Sequence, residues 1–219
     1  SFCEIKMKDF IHIDAEQFVD LLPLTDFLDG DVLLDKQHFP TVEIDKTTFY
    51  GPLPGLKKST FAEFIYADSF FVMYCLKPSK DLLYKLMATL YRPITTDEIK
   101  ENPNWTGDLR LPFNEHRIDD YANLIKSSVD PKIVWATLLF YWGFRTNHLL
   151  KFKAVFPPKI EDKKPEPTEK PKRSNGPQWS NTLMELAGSK LGTLEQTAQS
   201  SWYTALSFLQ SEIIKSKEK

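Results

Sequence analysis

The sequence has little of what enzymatic or metal chemistry requires. Its 219 residues include two cysteines, Cys3 and Cys75, and four histidines that lack the spacing of metal ligands. It contains no phosphate-binding glycine loop, nucleophile elbow or HExxH motif. Glu115-His116 is a tempting acid–base pair, but neighbouring residues of a helix do not face the same point. The sequence therefore predicts a protein that is not an enzyme and that binds no cofactor and no metal.

Membrane and nucleic-acid features are also scarce. The longest apolar run, Ile133–Phe144, has twelve residues, whereas a membrane-spanning helix needs about 20. The first residues, SFCEIKMKDFIHID, lack the continuous apolar segment of a signal peptide. The 28 basic and 30 acidic residues give a net charge of −2, so no basic excess is available to neutralise phosphates. We therefore expect no membrane and no nucleic-acid partner, and so few cysteines favour a cytoplasmic location.

What the sequence does contain is a series of clear helix start signals. A first amphipathic helix begins at Asp14. A second follows Thr60 and Glu63, which form a capping box, a pair of side chains that each bind a backbone N–H at the helix start. A third begins after Ser79 and should end before Arg92-Pro93, because a residue that precedes proline avoids the helical conformation. Several helices of this kind predict a helical bundle.

The second half of the bundle should contain its central helix. Residues 94–114 are rich in proline and asparagine and are predicted to form a long loop, with a short helix after it from Ile118. Asp130-Pro131 starts the next helix, which is apolar on nearly every side and should therefore lie at the centre of the bundle. Trp135 and Trp142 are seven residues apart in this helix, so we expect both on one buried face.

A change of composition marks the end of this body. Residues 157–178 contain six prolines and ten charged residues, too little apolar surface to offset the entropy of ordering them. Fully extended, they would reach at most about 70 Å. The predicted fold is mostly α: a helical body of residues 1–156 with a small strand pair at 41–50, a linker of residues 157–178, and a tethered helical hairpin of residues 179–219. The body should fold without the hairpin.

The hairpin is the candidate partner-binding element. Gly192 divides it, and Thr193 and Gln196 form a capping box at the start of its second helix. Its apolar faces could complete the core of the body, or they could bind a helix of another protein or of a second copy of this chain. The long tether favours binding to another chain, since docking on the body needs only a short connection. The candidate partner-binding residues are Trp179, Leu183, Leu186, Leu194, Ala198, Trp202, Leu206, Leu209 and Ile213.

Five stretches of the chain carry a resemblance to known proteins: TFAEFIYADSFF, KLMATLYRP, LRLPFNEHRIDD, ATLLFYWGFRTNHL and WSNTLMELAGSKLGTLEQT. Together they resemble proteins of tailed bacteriophages and prophages of Bacteroidetes. The order of body, tether and short helical end is similar to that of tail-assembly chaperones. The resemblance implies a non-enzymatic protein of the bacterial host cytoplasm that shields the apolar, helical tape-measure protein while the tail tube polymerises. A tail or connector protein that stays in the virion and a bacterial helical adaptor are the alternatives.

Overall fold

The computed structural model describes residues 36–103, 105–157, 179–188 and 191–217. The predicted helix that begins at Asp14 and nearly all of the predicted linker lie outside these residues. The described part of the chain forms eight α-helices and three short strands. The prediction of a mostly α fold with a small strand pair is therefore confirmed.

The predicted strand pair is extended by a third strand. Strands β1 (Thr41–Ile44) and β2 (Thr47–Tyr50) are antiparallel. They are joined at Asp45-Lys46, where positive φ angles of 47° and 62° suit a tight hairpin turn. A two-residue strand β3 (Arg92–Pro93) pairs with β2, at a place where the sequence predicts only the end of a helix. The inner face of β1 and β2 joins the main core through Val42, Ile44 and Phe49.

Within the described residues, the first α-helix begins at Phe61. In chain order they are α1 (Phe61–Leu76), α2 (Lys80–Leu90), α3 (Asp97–Lys100), α4 (Ile118–Ser128), α5 (Pro131–His148), α6 (Trp179–Leu186), α7 (Leu194–Gln199) and α8 (Trp202–Lys217). Helix α2 contacts α1, α4 and α5, and is therefore the central helix of the bundle. The prediction that α5 is central is wrong, because α5 buries one face and leaves an apolar face exposed.

Of the predicted start signals that fall on described residues, Thr60, Asp130 and Thr193 form a capping hydrogen bond and Ser79 does not. The hydroxyl of Thr60 accepts a hydrogen bond from the backbone N–H of Glu63 at 3.2 Å, but the Glu63 carboxylate forms ion pairs in the core, so only half of this capping box is present. Asp130 accepts a hydrogen bond from the Lys132 N–H at 2.8 Å, with Pro131 at the first helical position. Ser79 precedes α2 without a side-chain capping bond.

The C-terminal helices pack on α1 and belong to the same compact unit as the rest of the described residues. The capping box of Thr193 and Gln196 is complete, with hydrogen bonds of 3.2 and 2.9 Å. The predicted second helix of the hairpin is interrupted, however, because Ser200 has an extended backbone. The N–H of Phe61 donates to the Ser200 carbonyl oxygen at 2.7 Å. The interruption therefore joins the C-terminal segment to the start of α1.

Candidate functional site

Two tryptophans fix the C-terminal segment to the body. The indole N–H of Trp179 donates to Asp68 at 2.9 Å, and the indole N–H of Trp202 donates to the carbonyl oxygen of Leu56 at 2.9 Å. Both side chains are only 4% exposed. The ring of Trp179 also lies 5.9 Å, between centroids, from that of Phe156. The structure thus adopts the first of the two arrangements considered for the hairpin, in which its apolar faces complete the core.

The nine candidate partner-binding residues are consequently divided by burial. Trp179, Leu186, Trp202 and Leu206 are buried in the main core, so their prediction as a partner-binding face is wrong. The physical reason is that the body supplies both aromatic contacts and hydrogen-bond acceptors for them. Leu194 is 50% exposed. The remaining four are half-buried: Leu183, Ala198, Leu209 and Ile213.

A charge-balanced ionic cluster lies in the core beside α1. The carboxylate of Glu63 accepts hydrogen bonds from Arg110 at 2.7 Å and from Arg92 at 3.1 Å, and Asp108 accepts one from Arg110 at 2.7 Å. Burial lowers the pKa of Arg92. Burial also opposes the charge of Arg110, but Glu63 and Asp108 outweigh it and raise the pKa of Arg110. The cluster joins α1 to the end of α2 and to the loop that precedes α4.

A second buried carboxylate connects α1 to α5 and α6. Asp68 is fully buried and accepts a hydrogen bond from Arg145 Nε at 2.6 Å and another from the Tyr141 hydroxyl at 3.3 Å, besides that from Trp179. Burial, reinforced by the Asp68 charge, raises the pKa of Tyr141 well above its ordinary value. The Arg145 guanidinium lies over the Phe71 ring, 5.4 Å from its centroid, and its side chain remains 26% exposed.

An apolar groove of about 680 Å³ opens at the surface between α1 and α5. We call it the α1–α5 groove. Its α1 wall consists of Phe71, Tyr74 and Cys75. Partial burial raises the pKa of the Cys75 thiol, so the thiol is protonated at neutral pH and adds to the apolar wall. The groove is therefore the candidate functional site among the described residues.

The opposite wall is a stripe on the outward face of α5 and just beyond it. The stripe consists of Trp135, Leu139, Trp142, Thr146 and Leu150. Trp135, Trp142 and Leu150 are 50%, 54% and 56% exposed. The prediction that the two tryptophans are core residues is therefore wrong, although they do share one face. The stripe spacing of four, three, four and four residues is that of a helix face that packs against another helix, and this spacing is the sequence signal for the groove.

The described residues offer neither a metal-binding cluster nor a membrane-spanning helix. The described ranges contain no group of three or more His, Cys, Asp or Glu side chains placed to hold a metal ion. None of the helices in these ranges combines the length and the apolar character that a bilayer crossing requires. The groove lining is instead mainly aromatic and aliphatic. Surfaces of this kind in proteins usually bind other proteins or apolar ligands.

Comparison of the chain with protein-family models, with curated proteins and with solved structures finds no match.

Proposed function

We propose that this protein is a non-enzymatic tail-assembly chaperone that binds an apolar helical segment of the tape-measure protein in the α1–α5 groove. The observation that carries the proposal is the exposed apolar stripe of α5, with Trp135 and Trp142 about half exposed. Contiguous apolar surface of this kind marks interaction sites. The class of partner comes from the resemblance of several sequence stretches to phage tail-assembly chaperones.

The form of the groove favours a helix as the occupant. The stripe of α5 presents side chains at the spacing with which one helix packs along another. Its two tryptophans, with Tyr74 opposite, are the residue types that most often anchor protein interfaces. A small-molecule site would add several convergent polar groups. Here the Thr146 hydroxyl is already bound to the Trp142 carbonyl oxygen, and Arg145 offers only the edge of its guanidinium that Asp68 does not occupy.

The protein is still proposed to bind a helix, as the sequence predicts, but the binding face is the α1–α5 groove and not the hairpin. Of the nine residues predicted from the sequence, four are buried in the protein's own core, four are half-buried and Leu194 is exposed. Leu194 on the hairpin and Leu150 in the groove are similarly exposed, at 50% and 56%. Substituting each of them in turn therefore shows which of the two surfaces binds the partner.

The test is coexpression with the tape-measure protein encoded in the same genome. Leu150→Glu places a charge in the groove, whereas Leu194→Glu places one in the first turn of α7, where the helix dipole favours an acid. We expect the wild-type protein and Leu194→Glu to keep the tape-measure protein soluble and to copurify with it, and Leu150→Glu to do neither. Thermal unfolding of both variants should stay close to wild type, which shows that the defect is in binding.

Other outcomes would identify a different protein. A binding defect in Leu194→Glu alone would return the partner face to the hairpin. No association of the wild-type protein with the tape-measure protein would refute the proposal. A chaperone acts in the host cytoplasm and leaves before the tail is complete, so mass spectrometry of purified particles should not detect it in stoichiometric amounts. Its presence there would favour the structural tail or connector protein instead.

A further inference from the structure

Arg145 is a charged residue in the lining of the otherwise mainly apolar groove. Its Nε and Nη2 donate to Asp68 at 2.6 and 3.3 Å, which occupies one edge of the guanidinium. Among the described residues these are the hydrogen bonds of the guanidinium, and neither of them uses Nη1. The Arg145 side chain is 26% exposed, so part of it is accessible from the groove.

A purely apolar helix in the groove would desolvate the free edge of this guanidinium without supplying an acceptor for Nη1. A buried donor without a partner costs about 1–3 kcal/mol, and more when it is charged. A carboxylate would supply that acceptor and form a strong, charge-assisted hydrogen bond. We propose that the helix bound in the α1–α5 groove carries an aspartate or glutamate at the position that faces Arg145. This inference rests on the proposed function and specifies the partner that the groove accepts.

The geometry gives this contact a fixed place. The guanidinium lies over the rings of Phe71 and Phe156, at 5.4 and 5.9 Å from their centroids, and Asp68 holds it from the buried side. It is therefore held in position before the partner binds, which lowers the entropic cost of the contact. The Thr146 hydroxyl is already bonded to Trp142, so Arg145 sets the register of the bound helix.

The contact should depend on hydrogen bonding more than on net charge. Asp68 already balances the charge of Arg145, so an incoming carboxylate meets a neutral pair with unused N–H donors. Long-range attraction to such a pair is weak, and added salt screens it little further. We therefore expect the preference for an acidic residue to persist at high salt, unlike the affinity of a surface ion pair.

Synthetic peptides test this on the wild-type protein, so that no variant has to fold. The probe is an amphipathic helix of about three heptads with leucine at its a and d positions. In a series of such peptides, one stripe position at a time is changed to Glu or to Gln, and affinity is measured by fluorescence anisotropy. At one position we expect the Glu peptide to bind about tenfold more tightly than its Gln counterpart, the ratio given by one hydrogen bond to a charged group. At the other positions Glu should weaken binding.

A protein variant supplies the matched control. Arg145→Lys keeps a positive charge beside Asp68 but removes Nη1. We therefore expect the Glu and Gln peptides to bind this variant equally well, while the parent peptide with leucine at every a and d position still binds. Equal affinity of the Glu and Gln peptides at every position would overturn this inference and leave the proposed function intact. Failure of every peptide to bind, or binding that Leu150→Glu does not weaken, would overturn both. A dimer in sedimentation that Leu150→Glu dissociates would assign the groove to a second copy and would also overturn the inference.

Discussion

At the scale of single residues, four of the five tryptophans form two pairs that differ in burial. Trp179 and Trp202 are 4% exposed, and each indole N–H has an acceptor in the body. Trp135 and Trp142 are half exposed and line the α1–α5 groove. A buried indole needs a partner for its N–H. The distant acceptors Asp68 and Leu56, which no local pattern reveals, therefore decide which pair belongs to the core.

The two pairs predict opposite effects of the same substitution. We expect Trp202→Ala to lower the free energy of unfolding by about 3–5 kcal/mol, because it leaves a large cavity among buried rings. Trp142→Ala should lower it by less than about 1 kcal/mol, since the side chain is 54% exposed. Urea denaturation of both variants measures the difference. Similar losses in the two would contradict the placement of one pair in the core and the other in the groove.

Asp108 makes the stability of the protein depend on pH. Burial disfavours its charge, but the hydrogen bonds and positive charge of Arg110 outweigh this and lower the pKa of Asp108. A carboxylate with a lowered folded-state pKa stabilises the protein above the unfolded-state value of about 3.9, and this contribution is lost as the pH falls through the folded-state value. The free energy of unfolding should therefore decrease as the pH falls below about 5.

Replacement of Asp108 isolates this contribution. We expect Asp108→Asn to reduce stability at pH 7 and to make its decrease toward acid pH less steep, as measured by urea denaturation at a series of pH values. Asp119→Asn is the control, because the Asp119 side chain is 74% exposed and pairs with Lys85 at the surface. A pH dependence in Asp108→Asn equal to that of wild type would show that Asp108 does not contribute.

At the scale of elements, helix starts were predictable because their signals are local. Asp130 and Thr193 cap their helices with hydrogen bonds to residues two or three positions away. Glu63 fits the capping pattern equally well, yet its carboxylate binds Arg92 and Arg110, which lie 29 and 47 positions further along. The break at Ser200 likewise depends on pairing with Phe61. Contacts over such distances leave no periodic trace in the sequence.

The packing of α6–α8 on α1 changes what we expect of the isolated body. The sequence predicts that the body folds without the hairpin, but in the structure the hairpin covers the rings of Phe61 and Phe64. A chain ended after Pro157 should therefore unfold with reduced cooperativity and should bind the dye ANS, as proteins with exposed core surface do. A chain ended after Ile214, which removes the exposed residues 215–217 and the two residues that follow them, should unfold like the full protein. Cooperative unfolding of the shorter chain without ANS binding would restore the sequence-based expectation.

At the scale of the whole molecule, helix start signals and apolar patterning were enough to predict a mostly α fold but not how its parts pack. Helix α5 is apolar all round, a pattern typical of a central helix. The structure places α2 at the centre and uses the extra apolar face of α5 for the groove. A helix that is apolar all round can thus be a central core helix or a helix with an exposed binding face. The helices that pack against α5 decide between these two roles, and the local sequence of α5 does not specify them.

The contact between Phe156 and Trp179 has a consequence for chain connectivity. Their rings are 5.9 Å apart, although 22 residues separate them in the chain. We therefore expect the buried interface, and not the connecting segment of the chain, to hold the hairpin on the body. Residues 1–157 and 179–219, produced as two separate polypeptides, should reconstitute the native protein by fragment complementation. Native size-exclusion chromatography should show them eluting as one species that separates only in denaturant, and the intervening segment should tolerate an inserted domain.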